Sequence, residues 1–181
     1  MTPLPARYAW LSREPGPRIL VEALKLYGTL EVPGPKSSPL ILTWAKATGL
    51  DKIYRDDATA WCGLFLAYVA LQAGWEPPMN PLGARNWLEW GTPQDDPALG
   101  DVLVFWRGSK AGWSGHVGIY VGEDRAAYHV LGGNQSDSVS IAPKDKQRLL
   151  GARRCPWRIS QPANVRPVWL TSAGAATTAE A

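Results

Sequence analysis

Cysteine and histidine are scarce: 181 positions hold two of each. Two cysteines, Cys62 and Cys155, make no disulfide framework, and no C-x-x-C pair suggests zinc. Two histidines and two distant cysteines give too few ligands at familiar spacings for a metal site, so neither metal nor cofactor is expected. The opening stretch, "MTPLPARYAWLSREPGPRI", lacks an apolar core of signal-peptide length, and no run approaches a membrane span. A chain made and left in the cytoplasm, unless another machine exports or releases it, is the expectation. There is no internal repeat.

What is there fits one globular domain. Hydrophobic residues make up 45% and charged residues 19%, a balance that disordered chains do not have. The net charge of +3 is unevenly spread, with seven basic residues from Lys144 to Arg166 against the single acid Asp145. Such a stretch serves either as a solvated face or as a contact for an anionic polymer.

Along the chain, residues 1–16 are rich in Pro and Arg and read as an extended arm. "PRILVEALKLYG" and "PLILTWAKATG" read as helices closed by Gly28 and Gly49. A third helix starts near Thr59 or Ala60, ends at Gly74, and is apolar almost all round. "ARNWLEWG" is a short fourth. After Gly91 come short segments rich in β-branched and aromatic residues, "DVLVFW", "HVGIYVG", "AAYHVLGG" and "SVSIAP", then a last strand near "RLLGARRC". Helices first and strands afterwards predict an α+β domain over residues 17–160, with the helices packed on an antiparallel sheet. Residues 161–181, ending "TSAGAATTAEA", read as a disordered tail.

Cys62 falls in the first turn of the third helix if Thr59 caps it. There the unpaired N–H groups favour a thiolate and lower the thiol pKa. The other use of a buried cysteine is as a small hydrophobe; Cys155 reads that way. A nucleophilic cysteine needs a base, and His116 opens the strand "SGHVGIYVG", with Gly115 and Gly118 leaving room beside its ring. A polar residue on the next strand should orient the imidazole. Register leaves two candidates: His129 for a four-residue turn, Asn134 for a longer connection or a bulge at Gly132–Gly133.

"DATAWCGLF", "ARNWLEWG", "GHVGIYVGED" and "VLGGNQSDSVSI", in that order, resemble the CHAP and NlpC-type cysteine amidases and peptidases of the papain-like superfamily. They look like a branch common in phages and prophages. The resemblance covers roughly residues 17 to 155. It implies a papain-like domain with its nucleophile at a helix N-terminus: Cys62 as nucleophile, His116 as base and then acid, and Asn134 as orienting residue, with His129 the rival. The substrate implied is bacterial peptidoglycan, cut at an amide bond of the muramoyl-alanine link or the stem peptide. The enzyme is expected as a monomer without nucleic-acid partner, acting after holin release or as a virion component. Trp61 stands where many CHAP enzymes carry a glutamine, which leaves the side-chain half of the oxyanion hole unassigned. Trp61 and Trp113 are candidates for stacking on substrate, against the commoner use of tryptophan in cores. A non-catalytic wall-binding or virion module on this fold, and an acyltransferase using the same residues, are the alternatives.

Overall fold

A computed structural model describes residues 2–34, 36–157, 159–171 and 176–177. Three α-helices come first: α1 (Arg18–Leu24), α2 (Pro39–Ala47) and α3 (Cys62–Gln72), followed by a 3₁₀ helix, Ala84–Glu89. The strands are β1 (Thr92–Gln94), β2 (Val102–Trp106), β3 (Gly115–Glu123), β4 (Ala127–Gly132), β5 (Ser140–Asp145), β6 (Leu149–Arg154), β7 (Trp169–Leu170) and β8 (Ala176–Thr177). Their order is β1-β6-β2-β3-β4-β5, antiparallel throughout, with β7 joining the far end of β3 in parallel and β8 pairing with β7. This is the α+β architecture that the sequence predicts.

The sheet curls. Strands lie about 4.8 Å apart, so a flat sheet would separate β5 from β6 by about 19 Å. The link between them is a 3₁₀ turn, Lys146–Arg148, and four peptide steps reach only about 14 Å. Curling therefore brings the ends of β5 and β2 to opposite walls of one cleft.

The core lies between α3 and this sheet. Leu64, Phe65, Leu66 and Val69 of α3 are buried, as are Val104 on β2 and Val117 and Ile119 on β3. Burial on all sides explains why α3 is apolar all round. Gly63 has a specific reason: a Cβ there would press on the carbonyl oxygens of Pro81 and Leu82, the latter at 2.7 Å. That close approach seats the loop 80–83 against the start of α3.

Two boundaries differ from expectation. Residues 2–16 are not an extended arm: Ala6–Arg13 forms a 3₁₀ helix whose Tyr8 and Leu11, three residues apart, are both buried. The Pro- and Arg-rich composition hid that apolar pair. The stretch expected as a tail from residue 161 is anchored by buried Val165, Val168 and Leu170, and the Val168 carbonyl accepts from the Glu123 N–H at 2.8 Å. Within residues 172–181, positions 172–175 and 178–181 lie outside the described residues.

The basic stretch is largely spent inside the molecule. Lys146 pairs with Glu123 at 2.6 Å, Arg154 with Asp101 at 2.8 Å and Arg166 with Glu14 at 2.9 Å. Arg153 donates to the carbonyls of Trp90 and Gly91. No helix among the described residues is long and apolar enough to cross a membrane.

Candidate active site

Cys62 is the first residue of α3, and its cap is Trp61 rather than Thr59. Thr59 is instead tied into a turn, with its N–H and hydroxyl both on Asp56 Oδ1 at 3.1 Å. No side chain caps α3. Its first N–H groups are therefore free of intrahelical partners at the turn that carries the thiol. The backbone of Val117, of Gly63 and of Cys62 itself each favours the thiolate. Val117 is the residue after His116 on β3, so the group that most favours the thiolate adjoins the histidine in sequence.

The thiol pKa nevertheless moves up, opposite to expectation. Cys62 is 4% exposed, and burial outweighs both the helix start and the nearby Arg107 guanidinium. His116, 2% exposed, is pushed down to about 3, by burial first and then by Lys144 and Arg107. The pair therefore rests as neutral thiol and neutral imidazole. Cys155 is buried too, and burial pushes it up to about 12.

The histidine tautomer is set from both sides. His116 Nε2 lies 3.1 Å from Gln135 Oε1, and the Gln135 amide nitrogen is committed to the carbonyls of Val130, Gly132 and Ser140. An oxygen facing Nε2 requires the proton there. Nδ1 is then the base, and Arg107 Nη2 donates to it at 3.1 Å.

Neither expected third residue stands beside His116. Asn134 turns away, its Nδ2 reaching Glu31 Oε2 at 3.4 Å. His129 accepts from the Tyr8 hydroxyl at Nδ1 (2.6 Å) and donates from Nε2 to Asp124 Oδ2 (2.9 Å). Register explains both outcomes. Tyr120 pairs with Val130 and Gly122 with His129, so the bulge lies at Val121 and not at Gly132–Gly133. Val130 thus shares the His116 face and His129 takes the opposite one. Beyond Gly132 the chain leaves the strand into a tight loop, with Asn134, Ser136 and Asp137 at φ of 54°, 50° and 55°. Alternation cannot be carried through that loop, and it is Gln135 that points back. A Cβ on Gly132 would stand 3.3 Å from His116 Nε2, so the glycine gives the ring its room.

Trp61 is fully buried and donates from Nε1 to Glu31 Oε2 at 2.9 Å. It packs against Trp44 and offers no face to a substrate. Trp113 is 91% exposed. Asp57 braces the loop before α2, accepting from the N–H groups of Val32 (3.1 Å) and Ser38 (2.7 Å). A cleft of about 290 Å³ opens beside His116, walled by Trp106, Arg107, Lys144 and Arg148. Among the described residues no three His, Cys, Asp or Glu side chains gather as metal ligands.

No protein-family model matches the chain, and no curated protein matches it. Among solved structures, it is similar to one described as similar to a lipoprotein of the NLP/P60 family, from Staphylococcus aureus subsp. aureus Mu50. The identity is 21% and the TM-score 0.47, over 78% of this chain and 41% of that one. The chain thus spans about two-fifths of that protein's length.

Proposed function

We propose that the chain is a cysteine hydrolase that cleaves an amide bond of bacterial peptidoglycan, with Cys62 as nucleophile, His116 as base and acid, and Gln135 as positioning residue. The observation that carries this reading is the His116 ring: Nε2 is held by Gln135, so Nδ1 is the basic atom, and the neighbouring Val117 backbone favours the Cys62 thiolate. The substrate class comes from the four motifs that resemble CHAP and NlpC-type enzymes.

In this reading the Cys62 proton passes to His116 Nδ1 as sulfur bonds to the amide carbonyl carbon. The resulting oxyanion is held by N–H groups of the first turn of α3, that of Cys62 among them. The C–N bond then breaks, and Nδ1 returns its proton to the leaving amine. Water attacks the thioester with His116 taking its proton, the carboxylic acid leaves, and the thiol is restored. The neutral resting pair suits this order, because charge develops only once a carbonyl has displaced water from the site.

Acid quenching during turnover of peptidoglycan fragments tests the covalent step. The expected result is a thioester on the Cys62 peptide, found by mass spectrometry and absent in Cys62→Ala. Product formation with Cys62 unmodified throughout, and undiminished in the variant, overturns the reading.

A further inference from the structure

Three cations at the cleft lack the carboxylate partners that Lys146, Arg154 and Arg166 have. Among the described residues, no carboxylate lies within ion-pair distance of Arg107, Lys144 or Arg148. All three line the cleft beside His116. Arg148 lies over the Trp106 ring, its guanidinium carbon 5.0 Å from the ring centre. The cleft's one acid, Asp145, is turned into a cap, accepting from the Gln147 N–H at 2.9 Å. Lys144 is half-buried, where a lone ammonium is costly and a second cation close by makes it costlier.

We infer that Arg107 and Lys144 form a carboxylate-binding subsite beside His116, so that the preferred substrate carries a free carboxylate on a residue adjoining the cleaved amide. The identity of the occupant rests on the hydrolase reading; the anion site itself does not. Arg107 follows β2 directly and its N–H is fixed on Ser114 O, which aims the guanidinium across the start of β3. Lys144 approaches from β5, the opposite wall. A carboxylate between them gains the planar, two-pronged bond that guanidinium offers. It also draws Arg107 off Nδ1, freeing that nitrogen for the Cys62 proton. Burial depresses the His116 basicity most, and Lys144 and Arg107 add to it; an anion that neutralises them lifts that added part. The same occupant thus binds and prepares the base.

The test is an NMR titration of the isotopically labelled full chain with N-acetylglutamate, and with N-acetylglutamine as the uncharged match. Expected are saturable shifts at the His116 ring and at the amides of Arg107 and Lys144 with a Kd of about millimolar. The amide probe should bind at least about fivefold more weakly, and added salt should weaken the acid. Arg107→Gln and Lys144→Gln should each weaken the acid about fivefold or more, and their spectra report whether the fold is intact. No shift, equal shifts from both probes, or shifts unchanged in the two variants would overturn the subsite. No turnover is needed, so a protein that binds the carboxylate but never cuts walls loses the hydrolase reading alone. One that cuts walls but ignores the carboxylate loses the subsite alone.

Discussion

Gln135 Oε1 stands 3.1 Å from His116 Nε2, and the other end of the same amide is tied to three backbone carbonyls. The ring cannot turn without leaving a buried N–H unpaired, so in the proposed mechanism Gln135, and neither Asn134 nor His129, is the positioning residue. Gln135→Ala is therefore expected to lower kcat on peptidoglycan fragments by about 10²-fold, with KM little changed. Gln135→Asn, which keeps both the acceptor and the donor of the amide one methylene shorter, should recover part of the loss. Asn134→Ala should stay within about threefold of wild type, and a larger loss there than at Gln135 would restore the original assignment.

The depressed basicity of His116 makes a prediction about stability. In the folded chain the ring titrates at about 3, against about 6.5 when unfolded. Between these values the unfolded chain binds a proton that the folded one does not. The contribution of His116 to stability is present above about pH 6.5 and lost as pH falls toward 3. The urea midpoint of wild type should fall between pH 7.5 and pH 4.5 by more than that of His116→Gln. Equal falls would contradict the buried neutral ring.

His129 predicts a structural effect instead. Burial keeps it neutral, and it links Tyr8 in the N-terminal 3₁₀ helix to Asp124 in the β3–β4 turn. Its hydrogen bond holds the Asp124 carboxyl down at about 2, so that part of the link weakens as pH falls from the ordinary carboxylate range toward 2. Tyr8→Phe should cost about 1–2 kcal/mol in urea unfolding at neutral pH while leaving kcat within about twofold. A selective loss of kcat at unchanged stability would return His129 to the chemistry.

Gly63 predicts an effect on both. A Cβ there presses on the Pro81 and Leu82 carbonyls, so Gly63→Ala should shift the start of α3 and cost about 1–3 kcal/mol. Because Cys62 is the adjacent residue, kcat should fall as well. A variant with wild-type stability would show that the loop yields freely.

Much of this was legible in the residue pattern, and the misses share a cause. "DVLVFW" and "HVGIYVG" read as strands because alternation and β-branching are local, and they coincide with β2 and β3. Cys62 and His116 are candidates because the chain holds only two cysteines and two histidines. The third residue depended on register across a bulge at Val121 and on a loop with three non-glycine residues in left-handed conformation, and neither is written in periodicity. Trp61 reads as a binding residue by its place next to Cys62, but its indole is buried against Trp44 and Glu31, which lie far away in sequence. The composition of the N-terminal segment points to an extended arm, while the three-residue spacing of Tyr8 and Leu11 is that of a buried helical face.

The most direct test of the central claim is digestion of purified peptidoglycan by wild type and by Cys62→Ala, with mass spectrometry of the soluble fragments. The account predicts new amine and carboxyl ends from wild type alone, and their masses identify the amide that is cut. No fragments from either protein on walls of several chemotypes, or the same fragments from both, would contradict it.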